Sequence, residues 1–559
     1  MQNAKFLFLS ATAALVLTSC SGKLGALSAD NFKVTPNPLE AHQGKVQATI
    51  NGMFPEKYMN KKAVVTVTPQ LRYGNGQVVQ GSSATFQGEK VADNNQTISY
   101  QVGGNYSMRS TFDYVPEMQQ SELYLTFDAR VGKKVVSVPD VKVADGVIAT
   151  SELYKKSVAA AVPCTSPDAF QRVTQEKHEA NIKFLIQQAN LRKSELKNNS
   201  VTEFVKLLQR ISKDQEGLNV SNVEVSAYAS PDGGFKLNDK LASQRQKVSE
   251  GYVNEQLKKA KLSSPVDAKY TAQDWEGFQQ LVSASNIQDK EVILRVLSMY
   301  KDPEEREQQI KNMSAGFREL AEGILPELRR ARLTVNYEVI GRDDAQIESQ
   351  LKEDASKLSV EEMLYAATLK KSDAEKEAVY KKTTEVYPND ARAYNNVAVI
   401  EYAKGNYAEA AKYVQKALQV DPKNAEANAN KGLLALQQGD LNAAETYVAK
   451  AAGANGLSEV LGNLHLAQGN YALAEQDLKK VNSNSAALAQ ILNKNYQAAA
   501  TTLNNVANPD AMTDYLKAVL NARQGNNSAA ATALRAAVAK DASLAAYAAK
   551  DLELRNVAK

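Results

Sequence analysis

The 559-residue sequence predicts a multidomain fold with an N-terminal antiparallel β-sandwich, a central α+β domain with a helical insertion, and a C-terminal all-α solenoid. Three observations carry this prediction. Short runs of alternating apolar residues fill residues 31–150, strand and helix patterns succeed each other in residues 170–342, and a helix-hairpin motif recurs from residue 357 to the end. A chain of this length is expected to contain three or more domains.

The first residues have the pattern of an export signal. Lys5 precedes an apolar run from Phe6 to Leu17, which is too short for a membrane-spanning helix but fits the core of a secretory signal. Leu17-Thr18-Ser19-Cys20 resembles a bacterial lipobox, which implies cleavage before Cys20 and acylation of that cysteine, with palmitate among the chains attached. The alternative is a buried cysteine after an ordinary signal. We therefore predict a signal peptide over residues 1–19 and a linker over residues 20–30.

The residues around Cys20 also indicate a location. Ser21 follows the cysteine, and by resemblance to lipoproteins of Gram-negative bacteria this favours the outer membrane; an acidic cluster that would direct the chain to the cell surface is missing, which favours a body facing the periplasm. Without its signal the chain has a net charge near +3, from +4 for the whole sequence, and this is too small for a nucleic-acid-binding surface. No apolar stretch after the signal is long enough for a transmembrane helix.

Residues 31–150 have the pattern of short antiparallel strands. Apolar and polar residues alternate in residues 46–50 and again in residues 123–127, as expected for half-buried strands. Asn75-Gly76 predicts a hairpin turn because a type I′ turn requires positive φ at both central residues. The following residues, 151–169, are predicted to be a linker in which Cys164 is unpaired, with intermolecular pairing as a minor alternative.

The central region combines strands, helices and a conspicuous loop. Strands are predicted near residues 181–191, 223–228 and 329–337, helices over residues 201–211 and from about 238 to 257, and a helical insertion over residues 275–326. Five residues near the second strand have the spacing found in the C-terminal domain of OmpA-like proteins, which this region resembles over about residues 170–342: Tyr228, Gly233, Asn238, Leu241 and Arg245.

The resemblance to OmpA-like domains implies a pocket that binds the peptide of peptidoglycan. In that family a carboxylate two residues after the tyrosine takes the ammonium of diaminopimelate, and an arginine on the next helix takes its carboxylate. Here Ser230 stands at the acidic position, so binding requires Asp232 to reach in; the alternative is a fold retained for protein contacts. The candidate peptidoglycan-binding residues are Ser230, Asp232, Gly233, Asn238 and Arg245.

The last 200 residues contain an internal repeat. Related hexapeptides begin at Gly405, Gly439, Gly469, Lys494 and Gly525, which is the signature of stacked helical hairpins. A small residue at the turn, small residues between the helices and Pro422 after the second helix resemble the tetratricopeptide repeat (TPR). The resemblance is strongest in the first two or three units and weakens after residue 482. We predict five to six hairpins over residues 357–559.

The resemblance to TPR arrays implies a binding groove lined by the first helix of each hairpin. This surface lacks the lysine and arginine cluster that clamps a C-terminal carboxylate, so a partner helix or extended segment of an envelope protein is expected; the alternative is a structural spacer. The predicted groove residues are Arg392, Asn395, Val399, Tyr402, Glu426, Leu433 and Leu436.

Catalytic motifs are missing from the sequence. His42, His178 and His465 are far apart, and neither a nucleophile elbow nor a phosphate-binding loop occurs. We therefore predict no catalytic residues, no metal site and no cofactor. The predicted function is a periplasm-facing outer-membrane scaffold for protein–protein interactions, with a structural tether to peptidoglycan as the alternative.

Overall fold

The computed structural model describes residues 24–287, 289–312 and 318–557. The predicted signal peptide and Cys20 lie outside the described residues. The chain divides into two compact units, of which the first combines the residues up to Pro167 with those from Lys370 onward, and the second is Asp168–Leu369. The N-terminal β region and the helical repeats thus belong to the same unit.

The N-terminal part of the first unit consists of two β-sheets around one apolar core. The first sheet has the strand order β1-β3-β2-β12 with β8 on β3, and the second has the order β10-β9-β4-β6-β7 with β11 on β9 and β5 on β4. Inward-facing residues of both sheets, such as Ile50 and Val67, form a shared core, which confirms the predicted β-rich region. The strands are β1 (Phe32–Thr35), β2 (Leu39–His42), β3 (Lys45–Phe54), β4 (Ala63–Tyr73), β5 (Gln77–Gln80), β6 (Ala84–Gly88), β7 (Gln96–Ile98), β8 (Gly104–Asp113), β9 (Ser121–Val131), β10 (Lys134–Ser137), β11 (Val141–Asp145) and β12 (Val147–Ile148).

The second unit is built on a four-stranded sheet of order β13-β16-β14-β15, in which β16 runs antiparallel to both neighbours and β15 runs parallel to β14. The helices pack on this sheet because their apolar faces join its core, as Phe204 and Val253 do. The predicted helices and the strands predicted near residues 223–228 and 329–337 are present. The strand predicted near residues 181–191 is wrong in its bounds, because β13 starts eight residues earlier and ends at Lys183. The elements are β13 (Val173–Lys183), α2 (Asn199–Lys213), β14 (Leu218–Tyr228), α3 (Phe235–Lys259), β15 (Val266–Thr271) and β16 (Arg330–Ile340), with inserted helices at Trp275–Ala284, Lys290–Met299, Pro303–Lys311 and Leu325–Leu328, and two further helices at Asp344–Asp354 and Val360–Thr368.

The C-terminal part of the first unit is an array of antiparallel helix pairs. Between residues 391 and 540, which the structure describes throughout, there are five such pairs, in agreement with the predicted all-α repeat region. They are hairpin 1 (Ala391–Ala403 and Tyr407–Val420), hairpin 2 (Ala425–Gln438 and Leu441–Val448), hairpin 3 (Leu457–Ala467 and Tyr471–Asp477), hairpin 4 (Asn484–Leu492 and Tyr496–Asn504) and hairpin 5 (Ala511–Arg523 and Asn527–Lys540), preceded by the helix Asp373–Val386 and followed by Ser543–Ala548.

The turn of each hairpin contains one residue with left-handed backbone. Gly405 has φ 78° and the equivalent glycines of hairpins 2, 3 and 5 lie between 69° and 80°, whereas Lys494 takes φ 64° in hairpin 4. Glycine adopts this conformation without strain because it has no Cβ, and lysine does not. Close approach of the helices explains a further glycine, since a Cβ on Gly432 would lie 2.6 Å from a methyl group of Val448. The repeated residues therefore fix turn geometry and helix spacing.

The segment between the β region and the second unit is structured. We call residues 151–167 the groove segment. It passes through a short 3-10 turn, Thr150–Leu153, and helix α1, Tyr154–Ala159, and then continues without helix or strand. Val158 and Cys164 are fully buried within the core of the repeat array. The predicted linker therefore packs against the repeats instead of lying free. Among the described residues, no helix has the length and apolar character needed to cross a bilayer.

Candidate functional site

The inner surface of the repeat array holds the backbone of Cys164. The side chain of Asn430 accepts a hydrogen bond from the Cys164 N–H at 2.7 Å and donates one to the Cys164 carbonyl at 2.8 Å. Asn395 donates to the same carbonyl at 2.9 Å and to Ser166 Oγ at 3.0 Å. An amide side chain carries both a donor and an acceptor, so one asparagine satisfies both backbone groups of a residue.

The same pattern continues on both sides of Cys164. Asn396 accepts from the Ser166 N–H at 2.8 Å and donates to the Ser166 carbonyl at 2.9 Å. Toward α1, the hydroxyl of Tyr402 donates to the carbonyl of Val158 at 2.6 Å. Nearly all of these bonds end on the backbone of the groove segment, so they do not depend on its side chains.

Apolar contacts complete the seat of the groove segment. Leu153, Val158, Ala161 and Cys164 share one buried cluster with repeat residues that include Leu433. Burial, followed by the negative charges of Glu426 and Glu459, raises the pKa of the Cys164 thiol to about 12. The thiol is therefore protonated and inaccessible while the groove segment is in place.

The predicted groove residues lie on the surface that we expected, but the chain itself occupies the groove. Asn395 and Tyr402 bind the groove segment, and Leu433 and Leu436 are fully buried in its cluster. Arg392 forms an ion pair with Asp390 at 2.7 Å, Glu426 accepts from the N–H of Asn455, and Val399 is half-buried. This corrects the expectation of a groove open to a partner. The physical reason is that the non-helical residues after α1, at Cys164 and Ser166, supply main-chain groups within reach of the asparagines.

Two residues that bind the groove segment were not among the predicted groove residues. Asn396 and Asn430 were not predicted, although they stand one 34-residue repeat period apart. The recurrence of asparagine at a position that faces the inner groove could therefore have indicated a site that binds a polypeptide backbone. What it could not indicate is that the bound backbone belongs to the same chain.

The β region also contacts the repeats within the first unit. His42 Nδ1 lies 2.9 Å from the Tyr471 hydroxyl, and Gln43 donates to the carbonyl of Gln468. At the other end of the array Thr150 Oγ1 donates to Glu553 at 2.8 Å. These contacts hold the β region and the array together on both sides of the groove segment.

In the second unit the predicted peptidoglycan-binding residues surround a cavity of about 60 Å³. Its arginine, Arg245, is 1% exposed and donates to three backbone carbonyls: from Nη1 to Tyr228 at 2.9 Å, from Nε to Gln188 at 3.0 Å and from Nη2 to Leu185 at 3.3 Å. Burial, followed by the charge of Arg329, lowers the pKa of Arg245 to about 10. The guanidinium is thus engaged by the protein's own backbone.

The other charged group of the cavity also has an internal partner. Arg329 Nη2 donates to Asp232 at 3.0 Å and its Nε donates to Ser230 Oγ at 3.2 Å, while the Ser230 hydroxyl donates to Asp232. Asn238 holds the loop by donating to the carbonyls of Ser230 and Gly233 at 2.9 and 2.7 Å. Arg329 was predicted only as the first residue of a strand, and its ion pair with Asp232 was not predicted.

The cavity therefore contains two guanidinium groups and one carboxylate, and that carboxylate is already paired. A ligand with an ammonium group would have to compete with Arg329 for Asp232. Ion pairs with little exposure lose much of their solvation, so separating this pair is costly. Among the described residues no group of three or more His, Cys, Asp or Glu side chains is placed to hold a metal ion.

Comparison with solved structures returns helical repeat proteins of low identity. A tetratricopeptide repeat protein from Parabacteroides merdae is 16% identical and aligns over 38% of this chain and 90% of its own, with a TM-score of 0.28. YrrB, described as a TPR protein with an unusual peptide-binding site, is 19% identical over 37% of this chain and all of its own, with a TM-score of 0.21. Yeast Tom70 is 13% identical over 65% of this chain and 84% of its own, with a TM-score of 0.23.

Family comparison identifies the first hairpins. No curated protein matches the chain in sequence. The family model for the tetratricopeptide repeat matches residues 377–425 and 402–459, which are the units in which the sequence pattern is strongest. The C-terminal helical region of this chain therefore contains tetratricopeptide repeats.

Proposed function

We propose that this chain is a non-enzymatic scaffold of the cell envelope, an outer-membrane lipoprotein facing the periplasm whose TPR groove engages an envelope protein. The observation that carries the proposal is the set of asparagines, Asn395, Asn396 and Asn430, that grip an extended backbone through both its N–H and its C=O groups. Such a grip suits any extended polypeptide that enters the groove, because it reads main-chain atoms.

The groove is tested by photo-crosslinking in cells. A photoreactive residue at Val399, which is half-buried in the predicted groove, should capture a protein that the same residue at the exposed Lys412 does not. Capture should fall when Asn395 and Asn430 are both changed to alanine and persist when the exposed Asn442 is changed instead. Recovery of the same proteins from both positions, or capture insensitive to the asparagines, would exclude the groove as the partner site.

The lipid anchor is supported by Leu17-Thr18-Ser19-Cys20 and needs its own test. Mass spectrometry of the protein from its native membrane should find the chain beginning at an acylated Cys20, since several acyl chains on one residue anchor a protein stably. Cys20→Ser should abolish acylation and outer-membrane fractionation, whereas Cys164→Ser should change neither. Fractionation of Cys20→Ser with the outer membrane would contradict the anchor.

A second candidate function is a tether to peptidoglycan through an OmpA-like second unit. The loop between β14 and α3 and the first half of α3 together place Ser230, Asp232, Gly233, Asn238 and Arg245 around one cavity. The internal pairing of Asp232 with Arg329 points to weak binding.

The tether is tested by pelleting the full chain with purified peptidoglycan. If Asp232 receives the ammonium of the peptide, Asp232→Asn should lower the bound fraction about tenfold, the loss of one modest charged contact. The exposed Glu255→Gln is the matched control. No pelleting, or equal pelleting of the two variants, would remove this function and leave the scaffold untouched.

A further inference from the structure

One buried carboxylate in the repeat groove has no counter-charge. The turn glycines of the first three hairpins advance by steps of 34 and 30 residues. The same steps lead from Asn395 through Ala429 to Glu459, so Glu459 occupies in hairpin 3 the groove position at which Asn395 binds the groove segment. Glu459 is 4% exposed, and neither oxygen of its carboxylate makes a hydrogen bond of good geometry.

Glu459 lies beside the groove segment. The helix that carries it packs against α1, and a Cβ on Gly456, three residues earlier, would be 3.8 Å from Cys164 Sγ. The charge of Glu459 acts on both Cys164 and Tyr402, and Glu426 acts on the same thiol. Among the described residues neither Glu426 nor Glu459 forms an ion pair. The centre of the groove thus carries two carboxylates without a cation.

The two lysines of the groove segment, Lys155 and Lys156, are exposed, Lys155 pairs with Glu152 at 2.8 Å, and neither forms an ion pair with Glu459. Residues 158–163, Val-Ala-Ala-Ala-Val-Pro, contain no side-chain donor, and Pro163 has no backbone N–H. Ser483 and Asn463 lie close enough to favour the ionised form, but burial dominates and raises the pKa of Glu459 to about 7. A buried carboxylate without a counter-charge is destabilising, so the groove segment leaves the charge of Glu459 uncompensated.

The remaining contacts permit another occupant. The asparagines bind main-chain atoms of Cys164 and Ser166, beyond the end of α1, and an extended polypeptide presents the same atoms. Selectivity must come from a side chain that reaches the buried carboxylate of Glu459. A lysine or arginine matches it in charge and donates charge-assisted hydrogen bonds.

We propose that the groove exchanges its own segment for a segment of another polypeptide that carries a lysine or arginine, and that this cation pairs with Glu459. The proposal rests on the proposed use of the groove for partner binding and adds the chemistry of the partner. The groove segment is then a placeholder that keeps the inner surface covered until such a partner arrives. Because it is tethered, it competes at an effective concentration on the order of millimolar.

The test uses Cys164 as a reporter. In the full chain carrying Cys20→Ser, Cys164 is the single thiol and is buried, so its rate of modification by a maleimide measures displacement of the groove segment. The probes are nonapeptides that copy residues 159–167 with serine in place of the cysteine. One set carries lysine at each position in turn, and the matched set carries glutamine. Peptides are added at millimolar concentration.

At least one lysine peptide should accelerate modification of Cys164 about tenfold more than its glutamine counterpart. Glu459→Gln should abolish that difference, and the exposed Glu445→Gln should preserve it. Equal effects of lysine and glutamine, no acceleration by any peptide, or a difference that survives Glu459→Gln would each overturn the proposal. If partner capture at Val399 in cells nevertheless succeeds, the groove binds partners by other chemistry; if capture fails as well, the scaffold function falls too.

Discussion

In both the repeat groove and the cavity of the second unit, polar side chains form hydrogen bonds with the protein's own backbone. The two sites differ in the kind of side chain that forms these bonds. In the groove, neutral amides such as Asn430 satisfy both the N–H and the C=O of one residue in a segment 266 residues earlier in the sequence. In the cavity, the buried guanidinium of Arg245 donates to three carbonyls, all within 60 residues of it.

The difference separates an exchangeable contact from a fixed one. A neutral amide gripping an extended backbone can release it and grip another at little cost, since the new chain restores the same hydrogen bonds. A buried guanidinium cannot lose its acceptors without leaving a desolvated charge. The groove is therefore suited to binding and Arg245 to holding its unit together.

The largest effect should come from Arg245→Met. It removes the hydrogen bonds that the guanidinium donates to three carbonyls and leaves a polar pocket around an apolar side chain, which should lower the free energy of unfolding of the second unit by about 4 kcal/mol. The single tryptophan, Trp275, lies in this unit, so its fluorescence during urea unfolding of the full chain reports the change. The exposed Arg210→Ala should have little effect. A stable Arg245→Met protein would mean that the arginine is free for a ligand after all.

The next effect concerns the pH dependence of the first unit. Burial raises the pKa of Glu459 from 4.5 in the unfolded chain to about 7, so the native state holds this proton more tightly. The stabilisation is complete below pH 4.5 and is lost as the pH rises through 7, a change of about 3 kcal/mol. Glu459→Gln should remove this part of the pH dependence, measured by circular dichroism during urea unfolding. If the free energy of unfolding of both proteins had the same pH dependence, the burial of Glu459 would not raise its pKa.

A smaller effect is expected from the groove asparagines. Changing Asn395 and Asn430 together to alanine removes four hydrogen bonds to the groove segment, including all of those to the backbone of Cys164. A loss of about 2 kcal/mol in the seating of the segment corresponds to a rise of about 30-fold in the rate at which Cys164 is alkylated. Asn442→Ala serves as the control. An unchanged alkylation rate of Cys164 would mean that apolar contacts alone keep the groove segment in place.

The smallest effects concern the hairpin turns, where one site is strained and its equivalent is not. Lys494→Gly should stabilise the array by about 1 kcal/mol because it relieves the left-handed backbone of lysine. Gly405→Ala should destabilise it by a similar amount, and since a Cβ there meets no atom within 4 Å, the effect would be purely conformational. Thermal unfolding measures both. Effects of the same sign would refute the equivalence of the two turns.

The repeats were predictable because their geometry is local. Gly405 and its counterparts mark turns whose partner helices follow within a few residues, and Asn75-Gly76 marks the hairpin between β4 and β5 in the same way. The predicted type I′ turn is wrong, because positive φ falls on Gly74 and Gly76 and not on Asn75. Ser230 at the expected acidic position already indicated a weakened ammonium site. The pairing of Asp232 with Arg329 was not predictable, because it joins residues 97 positions apart.

The occupation of the groove by residues 151–167 was not predictable either, because the residues in contact are far apart in the sequence. Residues 151–167 have neither a helical nor a strand period along their whole length, and their short apolar and proline-containing stretch is typical of a linker. Their partners are 230 to 266 residues away. Only the recurrence of asparagine at positions 396 and 430 indicated that a backbone would be held there.

The groove segment also changes how the array must fold and unfold. A solenoid held only by contacts between neighbouring hairpins can melt from its ends, repeat by repeat. Here one stretch of chain contacts hairpins 1, 2, 3 and 4 and continues into the β region at Thr150, whose partner Glu553 is 403 residues away. Loops of that length close slowly. The final step of folding must therefore await synthesis of the last repeat, and afterwards the β region and the repeats should melt in a single transition.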